Sequence, residues 1–187
     1  MSDVDAEPLV VGVRRRQRVI AGSIWWTAAT ILLGIPALHL WVVPSPNVEA
    51  MADRLAYAAR CDAVAIVPYF AVCMKIMLTR FLEGAHDPLS HTESSSLKID
   101  CRVMQNHLEQ SVAFVVATLA LATLLPREHL ALLPIVTGVF VVGRLVYWWG
   151  YHREGTLGRA PGVQLTTGVT IPLVVGAAVW VLWMTVG

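Results

Sequence analysis

Arg102, Asn106 and Glu109 lie at the start of an apolar run that is long enough to be a membrane span. On a helix that turns about 100° per residue, the three side chains fall within about 60° of one another. They therefore share one face, and that face needs a polar partner. Arginine binds carboxylates through paired hydrogen bonds, and a low local dielectric strengthens each contact.

A second group of polar residues follows in the segment GRLVYWWGYHREGTLGR. Arg144, Tyr147 and Tyr151 also fall within about 60° on a helix. Arg153 and Arg159 come directly after them, in a short loop. We place both groups at one depth and on one side of a membrane, where they could bind a small anionic molecule.

The same charges also allow a structural interpretation. Glu109 and Arg144 are at similar depth and could pair, so that Arg102, Glu109 and Arg144 form an ion-pair network that fixes helix register. Trp148 and Trp149 would then be part of an interfacial aromatic belt. Charged residues inside membrane spans often mark functional sites, but not always, and the charge pattern leaves both interpretations open.

The composition favours a lipid environment. Of the 187 residues, 56% are hydrophobic and 14% charged, and the mean hydropathy is +0.62. Soluble domains carry about 25% charged residues. The net charge of +1 gives no electrostatic case for nucleic-acid binding. The three cysteines show no CxxC spacing, which favours buried, inert thiols.

Five apolar runs are long enough to cross a hydrocarbon core of about 30 Å, which takes about 20 helical residues. We predict membrane helices over residues 19–43, 60–81, 99–125, 128–152 and 162–183. Pro126 leaves only a tight turn between the third and fourth, so these two should be antiparallel neighbours. The length of the first run, and the lack of a convincing cleavage site, favour a retained signal anchor.

The distribution of basic residues predicts the orientation of the chain in the membrane. With the N-terminus in the cytosol, eleven of the 14 lysines and arginines lie on the cytosolic side. The predicted organisation is a cytosolic basic tail (1–18), an extra transmembrane helix (19–43), a linker (44–59) and a four-helix membrane domain (60–187).

Two segments are similar to a known family. RVMQNHLE carries an Arg-x-x-x-Asn-x-x-Glu pattern, and in RLVYWWGY an arginine is followed seven residues later by a tyrosine. Both resemble the MAPEG proteins (membrane-associated proteins in eicosanoid and glutathione metabolism), as does Arg80 at the end of the second run. The resemblance covers about residues 60–185, and residues 132–155 also look like the divergent branch that includes mattrin.

The resemblance implies an all-α membrane protein: a four-helix bundle, here preceded by one extra helix, that forms a homotrimer with glutathione between subunits. It implies a transferase or peroxidase that brings glutathione, as co-substrate, to a lipophilic second substrate at the membrane–cytosol boundary. Arg159 or Arg144 would lie against the sulfur, where a guanidinium favours the nucleophilic thiolate. The residues implied to bind the rest of glutathione are Arg80, Arg102, Asn106, Glu109, Tyr147, Tyr151 and Arg153.

Other functions compete with this prediction. A non-catalytic scaffold of the same fold would use the arginine and glutamate cluster as a structural network. A transporter is disfavoured because the charges cluster at one face instead of the mid-bilayer. His86, Asp87 and His91 share a polar loop, but their spacing matches no common zinc pattern and indicates a surface loop without metal.

Overall fold

A computed structural model of the chain describes residues 6–41, 44–85, 87 and 93–186, and these form helices with no strand among them. Five of the helical stretches are long and apolar enough to cross a membrane. This confirms the predicted all-α membrane fold with one helix before a four-helix bundle. The helices are α1 (Ala6–Ala29), α2 (Ile35–Trp41), α3 (Met51–Ala65), α4 (Val67–Glu83), α5 (Ser95–Leu124), α6 (Leu132–Gly158) and α7 (Ala160–Val186).

The extra helix consists of α1 and α2, joined by a π-helical turn over Thr30–Gly34. It begins at Ala6, inside the segment predicted as a tail, because alanine, leucine, arginine and glutamine continue the helix without a stop signal. One polar contact fastens it to α7: Gln164 donates to the Ile20 carbonyl (3.1 Å) and lies 3.3 Å from the Thr27 hydroxyl.

The second span is made of α3 and α4, with a break at Ile66. Pro68 lies in the first turn of α4, where its missing N–H costs little. The helix begins at Met51, within the predicted linker, because the stretch MADRLAYAARCDA is rich in strong helix formers. Gly84 ends α4 in the left-handed conformation (φ 68°).

The predicted antiparallel turn between α5 and α6 is confirmed. Pro126 ends α5 and a single 3₁₀ turn, Arg127–His129, leads into α6. Where the two helices face each other, the Phe114 and Phe140 rings stack with centroids 4.3 Å apart, and both side chains are fully buried. At its other end, α5 is capped by the Ser94 hydroxyl, which accepts from the Leu97 N–H at 3.2 Å.

Glycines bring α6 and α7 into backbone contact. A Cβ at Gly162 of α7 would lie 2.3 Å from the Tyr147 nitrogen and 2.6 Å from the Gly143 carbonyl oxygen, both on α6. Near its end α6 is kinked at Glu154 and Gly155, the latter at φ 59°, and Gly150 and Gly158 pack against each other across this kink. This close packing fixes the positions of the polar side chains at the end of the bundle where α4 and α6 end and α5 and α7 begin, here called the arginine-rich end.

Candidate functional site

Arg144 lies at the centre of the polar cluster and is 1% exposed. Its Nη1 donates to the Asn106 side-chain oxygen and its Nη2 to the Thr166 hydroxyl, both at 2.8 Å. The guanidinium also covers the Tyr147 ring at 4.8 Å. Since Asn106 belongs to α5 and Thr166 to α7, this arginine joins three helices through charge-assisted hydrogen bonds.

Arg159 lies at the junction between α6 and α7 and is only half-buried. Its Nη1 is 3.5 Å from the Tyr147 hydroxyl, and its guanidinium covers the Tyr151 ring at 4.9 Å. The two tyrosine rings meet edge to face with centroids 5.9 Å apart. The structure thus brings together five of the predicted residues: Asn106, Arg144, Tyr147, Tyr151 and Arg159.

Arg102 and Glu109 lie on the outer surface of α5, and both are exposed in the single chain. The Glu109 carboxylate accepts from the Gln105 amide at 2.8 Å. The expected ion pair between Glu109 and Arg144 is not formed. Arg144 reaches Asn106 and Thr166 instead, because its side chain points between the helices while Glu109 points away from them.

Arg80 and Arg153 lie apart from this cluster. Arg80 pairs with Glu93 at 2.6 Å and its Nη2 lies 3.9 Å from the Cys101 sulfur. The Arg153 guanidinium covers the Trp149 ring at 4.7 Å. Both residues are at the arginine-rich end, but among the described residues of the chain their contacts are with these neighbours and not with Arg144 or Arg159.

A buried ion cluster around Asp100 was not predicted. Asp100 is fully buried and receives the Lys75 ammonium at 2.8 Å, His152 Nε2 at 2.6 Å and Trp148 Nε1 at 2.8 Å. These partners come from α4 and α6, so the carboxylate ties three helices together. Trp148 and His152 are four residues apart, a spacing that places both on one helical face and could have indicated a shared partner.

Asp100 faces away from the predicted binding face. On α5 it is about 160° from Arg102 around the helix axis. The arginine-rich end therefore carries an internal ion cluster on one side of α5 and an exposed charged face on the other. A buried carboxylate that is fully paired within the chain is best explained as a structural element.

No group of three or more histidine, cysteine, aspartate or glutamate side chains in the described residues is arranged to hold a metal ion. The predicted polar loop is only partly included, since His86 and His91 lie outside the described residues.

Comparison with known proteins matches the four-helix part of the chain. A model described as the MAPEG family matches residues 58–179. Transmembrane protein 79 (mattrin) of Mus musculus and of Bos taurus are each 27% identical over 104 residues, which is 56% of this chain and 26% of theirs. An uncharacterized protein of Synechocystis is 30% identical over 130 residues, 70% of this chain and 91% of its own length.

The chain thus spans about a quarter of the length of Transmembrane protein 79 and most of the Synechocystis protein. The family match begins at residue 58 and ends at residue 179, so it leaves out the extra helix and includes the arginines of the cluster.

Proposed function

The chain belongs to the MAPEG family, and we propose that it is an integral membrane enzyme that uses glutathione to conjugate or reduce an apolar electrophile. We place the arginine-rich end and the N-terminus in the cytosol, where glutathione is available, because most of the basic residues then lie on the cytosolic side.

The observation that carries this proposal is the exposure of Arg102 and Glu109 on a membrane-spanning helix. Glu109 lies about halfway along the 30 residues of α5. A charged side chain that faces hydrocarbon costs about 2.5–3.5 kcal/mol at mid-bilayer and less in the cytosolic half of the span, where both residues lie. Partners from outside the protomer remove this cost, and a zwitterion with two carboxylates has groups that complement both an arginine and a glutamate.

We therefore propose that three copies assemble around these faces, with glutathione between neighbouring subunits. Arg102 binds a carboxylate, and Glu109 binds the ammonium or an amide. Asn106, Tyr147 and Tyr151 supply further polar contacts. Arg80 and Arg153, which lie apart within one protomer, act from the neighbouring subunit or at the rim of the site.

The two arginines that could lie against the glutathione sulfur, Arg144 and Arg159, differ in their surroundings. Arg144 is buried and already donates to Asn106 and Thr166, so we assign it to positioning Asn106. Arg159 is half-buried, and its 3.5 Å contact with Tyr147 is weak enough to exchange for a ligand. We assign Arg159 to the sulfur, where its charge favours the thiolate.

The proposed reactions start from the thiolate of bound glutathione. The thiol proton leaves to water, and the thiolate forms a carbon–sulfur bond with the electrophile. A leaving group departs with its electron pair, or, in an addition to an unsaturated carbonyl, the α-carbon takes a proton from water. With a peroxide, the thiolate takes one oxygen and releases an alcohol, and a second glutathione converts the sulfenic acid to disulfide and water.

A non-catalytic scaffold is the second candidate. It is favoured by one observation: Arg80, Asn106 and Arg144 all have polar partners within the chain. In a scaffold the exposed charges of α5 would pair with charges of a neighbouring subunit, and glutathione would not bind.

Replacement of Arg159 by alanine tests the assigned role. We expect Arg159→Ala to bind glutathione nearly as well as the parent, but to lose the ultraviolet absorbance of bound thiolate at neutral pH. The pKa of the bound thiol should return to about 8.5, its value without a cationic neighbour. Lys98→Ala, which removes an exposed positive charge at the same end of the bundle, should leave the thiolate signal unchanged.

Two outcomes would count against this role. Undiminished thiolate in Arg159→Ala would remove Arg159 from the sulfur, and equal loss in Lys98→Ala would show only a general effect of positive charge.

A further inference from the structure

The extra helix is held to the bundle at two polar points with an apolar cavity between them. Near one end, Gln164 donates to the Ile20 carbonyl at 3.1 Å and lies 3.3 Å from the Thr27 hydroxyl. Near the other, His39 Nε2 and His129 Nδ1 are 3.1 Å apart. From Thr27 to His39 the helix rises about 18 Å, at about 1.5 Å per residue.

The cavity between these points has a volume of about 320 Å³. The π-helical turn and the start of α2 form one wall, with Ile31, Leu32, Ile35 and Pro36. The opposite wall is formed by apolar residues of α5, α6 and α7, including Gly168 and Pro172.

The lining determines what can occupy this space. Apolar cavities do not hold water, because water there would lack hydrogen-bond partners. A void of this size would leave its lining side chains without dispersion contacts. The cavity lies among membrane spans and is partly open, so hydrocarbon from the bilayer can enter it.

We propose that this cavity binds one acyl chain of a membrane phospholipid, and that this chain fills the seam between the extra helix and the bundle. At about 30 Å³ for a group the size of water, the volume holds about ten methylene groups. The apolar lining offers no partner for a carboxylate, so the occupant keeps its headgroup outside the cavity, as a phospholipid does and a buried fatty acid cannot.

The acyl chain stabilises the packing of the extra helix, because this helix makes few direct contacts with the bundle. Most of its side chains are exposed, among them Trp25, Trp26 and Trp41. It approaches α7 closely at Gly168, where a Cβ would meet the Ile31 side chain at 2.5 Å. The inference does not depend on glutathione chemistry, since the cavity lies toward the α5–α6 turn, lined by Leu125 and Leu132, away from the arginine-rich end.

The test uses the full chain, reconstituted with phosphatidylcholine, extracted in mild detergent and weighed by native mass spectrometry. Ile35→Trp fills the cavity from the extra helix. Leu33→Trp adds the same ring two residues away, where the native side chain is 71% exposed. We expect about one retained phosphatidylcholine per chain in the parent and in Leu33→Trp, and a roughly tenfold loss in Ile35→Trp, equivalent to about 1.4 kcal/mol.

Equal retention in Ile35→Trp and Leu33→Trp would overturn the proposal, as would a parent that carries no lipid or carries free fatty acid instead. A second measurement covers the case in which Ile35→Trp does not fold. Phosphatidylcholine spin-labelled on its acyl chain should show an immobilised fraction of about one per chain with the parent protein, and the absence of this fraction would equally overturn the proposal.

Discussion

Two arginines of the same cluster have different surroundings, and these surroundings decide what each can do. Arg144 is enclosed by three helices with both terminal nitrogens bonded, whereas Arg159 covers the Tyr151 ring, lies 3.5 Å from the Tyr147 hydroxyl and remains partly exposed. The sequence places both on the same side of a membrane but shows neither the burial nor the partners. It also allows a Glu109–Arg144 pair, whereas in the structure Arg144 bonds to Asn106 and Thr166, because helical angles do not show which neighbour lies nearest.

Asp100 shows the opposite case, a buried charge outside the predicted site. We expect Asp100→Asn to lower the free energy of unfolding by about 3 kcal/mol, because the buried, multiply bonded carboxylate loses its charge while the Lys75 ammonium keeps its own. Thermal unfolding in detergent measures this effect, with Glu83→Gln, at an exposed position of α4, as the control. Equal melting temperatures for the two variants would mean that the cluster does not contribute to stability.

At the scale of the helix, the sequence predicts which helices exist, and in what order, better than it predicts where each helix begins and ends. All five predicted spans are present, because a run of about 20 apolar residues seldom forms anything other than a membrane helix. The extra helix and the α3–α4 span each begin well before their predicted first residue, at Ala6 and Met51. Hydropathy marks where a helix enters hydrocarbon, but strong helix formers continue the helix into the polar region beyond it.

The contact between α6 and α7 depends on glycine. We expect Gly162→Ala to lower the free energy of unfolding by about 3 kcal/mol, since the new methyl group meets backbone atoms that cannot move aside. Gly176→Ala, on the same helix but with open space around it, should be neutral or slightly stabilising. Denaturant or thermal unfolding of the two variants checks this. Equal stabilities would mean that α7 can shift away from α6 without cost.

At the scale of the whole molecule, some polar groups of the chain are paired inside the helical bundle and others face outward. Arg144 and Asp100 have polar partners on neighbouring helices, while charged residues of α5 face outward along a membrane span. Family membership and the exposed charges are the two grounds on which we propose assembly into trimers.

The measurement that tests the central claim most directly is calorimetric titration of the purified full-length protein with glutathione. We predict saturable binding with a dissociation constant below about 1 mM, or better than about −4 kcal/mol. Glu109→Gln should bind more weakly while assembling normally. If the parent shows no binding heat at millimolar glutathione, or if Glu109→Gln changes only the assembly, the exposed charges of α5 serve subunit contacts and the proposed enzyme function is wrong.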